Sequence, residues 1–403
     1  MFKGNALYEV QVRVDDRWRM EATFTEEQAA LSCARVQMTV AGVQEVKVFK
    51  SRSLAGLAVQ TAIFHRKVPE QKSKPLSIAG TAEGAPFCTE LAELYGFESR
   101  VVIGRLLRQF LDKFQVTQTE LLHGWTYARK LDEQGTLMGA AIHAVARHHG
   151  DTHKVAVAAR VKELRALVDR ALVRARDFNA ERKRLPAFDE SDLAATSRRI
   201  EQAVGAEEHD FVFLAMLSQY LTNANSLAGK MELLVKMMAR TDDPHLAALL
   251  EGVVADGLGA ADVVKELLGA QPTLAAGLGA LADVLHGRRP GEKDVPVHPL
   301  LACIGALTVT GRAPTCRIVL LERVRSALNS DQPLDRKDAK AEATLVEALA
   351  LRLKGPDGTL LGGAETEKAL ARRLLRHRQA ILRQQGMHDI ADRLAGTFKS
   401  GEG

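Results

Sequence analysis

Residues 152–185 read THKVAVAARVKELRALVDRALVRARDFNAERKRL. Apolar or small side chains recur there at Val157, Val161, Leu164, Val168, Ala171, Ala175 and Phe178, in steps that alternate four and three. That spacing predicts one long helix with the seam of a coiled coil or a helical hairpin. Pro186 closes the run, because its ring clashes with the preceding turn and it brings no amide proton. Such a seam describes a surface that meets another helix, and not a reaction. Two partners are open to it: a second long helix of the same chain, or another molecule, whether a protein partner or a second copy.

A second long helix is expected over about residues 210–240. Its stripe runs through Leu214, Leu217, Leu221, Ala224, Ala228, Met231, Val235 and Met238. Short connections favour antiparallel neighbours within one chain. Upstream, Ser99–Gln115 carries another stripe, and Thr117 with Glu120 forms a capping box before Leu121 and Leu122. Downstream, a helix over 192–204 is followed by Asp243-Pro244, a cap with proline at the first helical position. GLGAAD (257–262) and GLGALAD (277–283) look alike, but two copies do not make a solenoid. A polar loop, His286–His298, precedes a final module of helices.

The N-terminal region has a different period. Tyr8, Val10, Val12 and Val14 alternate with Glu9, Gln11 and Arg13, the pattern of a half-buried strand. Met20, Ala22 and Phe24 alternate again, Thr25 reads as an N-cap with Gln28, and strands follow from Val46 and Leu57. Residues 67–87 turn to Pro, Lys, Ser, Gly and Ala without apolar periodicity, the composition of a flexible linker. The expected fold is therefore mainly α: a small ββαββ domain (1–66), a linker (67–87), a helical domain with two long helices (88–287) and a C-terminal helical module (288–403).

The 403 residues leave room for two or three domains, and 46% hydrophobic content with 5% aromatic residues fits a helical globular protein. A net charge of +5 permits contact with nucleic acid or anionic lipid without demanding it. Cys33, Cys88, Cys303 and Cys316 form no CxxC pair, which points to a reducing cytoplasm, and Cys303 and Cys316 read as core thiols. The start, MFKGNALYEV, lacks the apolar run of a signal peptide, and no window suits a membrane span.

Two basic clusters stand out. One lies on the seam helix, from Lys154 and Arg160 to Arg184; the other comprises Lys368, Arg372, Arg373, Arg376, His377, Arg378 and Arg383. Each reads as a solvated face, a surface for an acidic partner or a tracker of phosphates. Phe114–Lys130 resembles a helix-turn-helix reader, although the helix before Gly124 is about two residues short for it. His149 and His153 stand i,i+4, but Gly150-Asp151-Thr152 is expected to interrupt the helix between them and spoil a metal site. The glycine motifs lack the strand-turn-helix context of a phosphate loop, and no catalytic motif emerges. The expectation is a cytoplasmic scaffold or signalling adaptor acting through helix-mediated association, with no cofactor. Its partner surface would be the seam residues together with Arg372, Arg373, Arg376 and Arg378. The alternatives are a nucleic-acid-associated protein using both basic helices, and a helical-bundle enzyme with an unrecognised site.

Overall fold

The computed structural model describes residues 7–14, 17–38, 40, 42–54, 57–68, 76–288, 291, 294–338 and 341–400. They form two compact units, Met1–Pro75 and Leu76–Gly403.

In the first unit, β1 (Leu7–Val14), β2 (Arg17–Phe24), α1 (Glu27–Gln37), β3 (Val43–Leu54) and β4 (Leu57–Lys67) give the expected ββαββ order. The antiparallel sheet runs β2-β1-β3-β4. Ala30 and Ala34 of α1 are buried with Val10, Val12, Val46 and Val48; small residues on the helix let it sit close to the β-branched face. The expected Thr25 cap is displaced by one residue, since Glu26 is the N-cap and makes no side-chain capping bond. The alternation of β2 also breaks. Val10 opposes Ala22, but Gln11 opposes Met20, so Glu21 is an extra residue in a β-bulge. Met20, expected on the face of Ala22 and Phe24, lies on the opposite one and is 59% exposed. Trp18 shares that open face, with Lys47 Nζ 4.2 Å from its ring centre.

The second unit is mainly helical. It begins with an irregular segment, 76–90, that packs on the helices: Ala82, Ala85 and Cys88 are buried. The expected linker is thus divided, because 76–87 belongs to the helical core while 69–75 lie outside the described residues. There follow α2 (Leu91–Tyr95), α3 (Phe97–Leu106), α4 (Arg108–Phe114), α5 (Gln118–His123), α6 (Trp125–Glu133), α7 (Thr136–His153) and α8 (Val157–Glu181). Next come α9 (Leu193–Val204), α10 (Ala206–Tyr220), α11 (Leu227–Arg240), α12 (Pro244–Leu258), α13 (Ala261–Leu268) and α14 (Leu274–His286). The C-terminal helices are α15 (Pro299–Val309), α16 (Pro314–Asn329), α17 (Glu342–Leu353), α18 (Gly363–Gln384) and α19 (His388–Ser400).

Three departures from the expected layout have local causes. The seam helix starts at Val157, not Thr152, because α7 runs on through Gly150-Asp151-Thr152 and the chain turns at Lys154 (φ 57°). Gly150 is a contact residue, not a breaker: a Cβ there would stand 2.8 Å from Val157 Cγ2, so its absence lets α7 and α8 cross closely. The second long helix is two helices, α10 and α11. Between them Ala224 is extended and Ser226 caps α11 by accepting from the Gly229 amide; short polar side chains favour such caps over helix interiors. Finally, the described residues on both sides of the expected boundary at 287–288 share one core. It joins Leu278 and Leu281 to Leu300, Leu301 and Ile304 and continues to Leu370.

Candidate functional sites

The seam of α8 is used within the chain. Leu164, Ala171, Ala175 and Phe178 are buried, while Val157, Val161 and Val168 are half-buried against the apolar cluster formed with α4–α7. Two groups of helices cover the face: α4–α7 at its Leu164 end, and α10, part of the expected 210–240 helix, at Phe178, whose ring centre is 6.3 Å from that of Phe211. Coverage is incomplete, however. Leu164, Leu167, Val168, Ala171 and Leu172 form one wall of an apolar cavity of about 140 Å³. The other walls come from Ala85, Pro86 and Cys88, from Val102, Leu106 and Leu107, and from α5–α7 through Leu121, Leu131, Met138 and Ile142. Its polar groups satisfy one another: Cys88 Sγ and Ser99 Oγ are 3.2 Å apart, and Ser99 donates to the Glu93 carbonyl at 2.7 Å.

The 85–88 wall is held by Arg160, a member of the basic seam cluster that is only 2% exposed. Its guanidinium donates to the Cys88 carbonyl at 2.7 Å, to His149 Nδ1 at 3.0 Å and to Glu163 at 2.8 Å, and lies 3.9 Å from the Phe87 ring centre. Because arginine only donates, His149 Nδ1 accepts, and its Nε2–H donates to the Ala85 carbonyl at 3.1 Å. Burial, reinforced by the Arg160 charge, lowers the His149 pKa against the lift from that carbonyl. Both ring nitrogens of His149 are therefore engaged; α7 runs unbroken to His153, so it is these bonds, and not a helix break at 150–152, that occupy the His149 side of the pair. Elsewhere on α8, Arg174 lies 4.0 Å from the Phe211 ring centre and pairs with Glu208, while Lys162, Arg170, Arg182, Lys183 and Arg184 are exposed.

The second basic cluster is also largely structural. Arg373, 4% exposed, donates to Glu342 at 2.6 Å, to the carbonyls of Ala327 (2.9 Å) and Leu328 (3.2 Å), and to that of Gln332. Arg376 reaches the Leu328 carbonyl at 2.8 Å, the Asn329 carbonyl at 2.7 Å and Asp331 at 2.8 Å. The Leu328 and Asn329 carbonyls belong to the last turn of α16, whose negative end cations suit. Arg372 is half-buried and Arg378 exposed. In the helix-turn-helix resemblance the first helix, α5, is largely buried, and the second, α6, leaves Thr126 and Arg129 exposed with Tyr127 and Lys130 half-buried. Of the two expected core thiols, Cys316 is buried and Cys303 exposed.

One cluster was not anticipated. His209 Nδ1 lies 2.8 Å and His245 Nε2 2.7 Å from the same oxygen, Asp210 Oδ1. Ser197 Oγ stands 2.8 Å from the far nitrogen of His209. α9 supplies the serine, α10 the His-Asp pair, and the first turn of α12 the second histidine. Burial would raise the Asp210 carboxyl, but the hydrogen bonds from His245 and His209 outweigh it and hold the pKa below its ordinary value. The Ser197–His209–Asp210 order is that of a hydrolytic triad. Acyl transfer also needs amide donors converging beside the nucleophile, and Ser197, inside α9, has its own amide in the helical ladder.

No protein-family model matches this chain, and neither does any curated protein or solved structure. Among the described residues, no helix is long and apolar enough to cross a membrane.

Proposed function

We propose that the chain is a recognition protein whose helical unit takes a small apolar molecule, an aromatic ring or a short alkyl segment, into the cavity between α8 and α3–α7. The supporting observation is the cavity itself. Protein interiors are close-packed with few voids larger than a water molecule. The pocket holds about 140 Å³ lined almost wholly by apolar side chains. An apolar pocket of that volume can hold a benzene-sized guest.

Benzene is the direct probe. At about 100 times its Kd, a ligand that binds only the folded state adds roughly 2.7 kcal/mol of stability. Titration of the full chain should therefore raise its Tm, and Ala171→Leu, which places a larger side chain in the cavity wall, should abolish the rise while keeping the helical signal. An equal rise in both proteins, or none in the unmodified chain, refutes the assignment.

A second reading is protein association through the C-terminal hairpin, where Ile381 of α18, Met387 of the connecting turn and Ile390 of α19 are exposed. It predicts an oligomer in light scattering whose mass is indifferent to salt. Material absorbing at 260 nm that salt strips away would instead favour nucleic acid on the exposed lysines and arginines of α8.

A further inference from the structure

We infer that His209, Asp210 and His245 form a binding site for one divalent d-block cation of the zinc class. Three donor atoms, His209 Nδ1, Asp210 Oδ1 and His245 Nε2, lie within 4.8 Å of one another. Ligands around zinc at about 2.0–2.2 Å stand roughly 3.0–3.5 Å apart, so the 2.7 and 2.8 Å separations need open by only about half an ångström. His245 and Asp210 are about half exposed, which gives the movement room and leaves coordination positions for water.

The surroundings suit a metal ligand. A histidine that binds metal through one nitrogen keeps its proton on the other, where a partner fixes the ring. Ser197 Oγ is 2.8 Å from His209 Nε2 and can accept that proton, and the Phe213 ring stacks on His209 at 6.0 Å with 23° between planes. Two imidazoles with one carboxylate select transition metals over magnesium or calcium, which prefer all-oxygen sites. Binding would cross-link the first turns of α10 and α12.

Cobalt(II) supplies both the stoichiometry and a visible spectrum. The expected result is one Co²⁺ per full-length chain, displaced by Zn²⁺ and indifferent to excess Mg²⁺. His245→Ala, a change at an exposed position, should abolish the spectrum without altering far-UV circular dichroism. Ser197→Ala, which removes only the hydroxyl that holds the ring, should weaken affinity about 10–100-fold. Absence of Co²⁺ uptake overturns the assignment. So does undiminished uptake by His245→Ala, which would place the ion on other histidines; should that variant lose its fold, His245→Gln decides between the same two results.

Discussion

Replacing Lys230 by methionine should cost about 3–5 kcal/mol of stability, the largest effect expected of any single substitution considered. Lys230 is 2% exposed and Glu120 0%. The ammonium donates to Glu120 Oε1 at 2.6 Å and to the Gln115 carbonyl at 2.7 Å. The other carboxylate oxygen caps α5 by accepting from the Thr117 amide at 2.8 Å and its hydroxyl at 3.0 Å. Without the lysine, a fully buried carboxylate has lost its counter-ion while keeping its cap. Urea unfolding at pH 7 measures the loss. Adding Glu120→Gln to the same chain removes the stranded charge and should recover a large part of it. If the single variant unfolds at the midpoint of the unmodified protein, the ion pair does not support the α5–α11 contact.

The second large effect is acid sensitivity at His123. The ring is fully buried between Tyr95 and Phe211, at 5.0 and 5.1 Å, and its Nδ1–H donates to the Thr119 carbonyl at 2.8 Å. Burial pushes its pKa down to about 3, against a lift from that carbonyl. Below about pH 6.5 the unfolded chain takes up a proton that the folded chain refuses. Stability from this group is therefore full above that pH and falls by about 1.4 kcal/mol per unit until about pH 3. Between pH 6.5 and 4 the loss should reach about 3 kcal/mol. His149 and His286, whose values are lowered chiefly by burial, pull in the same direction. Stability measured against pH for His123→Gln should show a slope shallower by about one proton. An unchanged slope would mean that His123 is not the group responsible.

What could be read from the sequence was what neighbouring residues decide among themselves. The capping box at Thr117 and Glu120 and the Asp243-Pro244 start stand as expected, because each is settled within one turn. The α8 seam is visible for the same reason: its period depends only on its own residues. What covers its Leu164 end depends on α4–α7, whose placement no local pattern states. Arg160 and Arg373 look in sequence like their exposed neighbours. Only the folded chain brings Cys88 and His149, or the end of α16, within their reach. The His209–Asp210–His245 cluster eluded spacing rules because 35 residues separate Asp210 from His245. The cavity is a property of volume, and no periodicity reports volume.

The bulge at Glu21 gives β2 a switchable parity. Along a strand, odd and even positions are fixed to opposite faces, so one surplus residue exchanges their roles for everything on one side of it. Trp18 and Met20 look outward because that exchange has happened once. A one-residue deletion at Glu21 would remove the bulge yet keep Met20 opposite Gln11 and Trp18 opposite Arg13, so both would hold the open face. The character of this face is thus set by where the surplus residue is taken up: paired without a bulge, the same strand would place Met20 opposite Val12 and Trp18 opposite Val14, on the side that α1 covers.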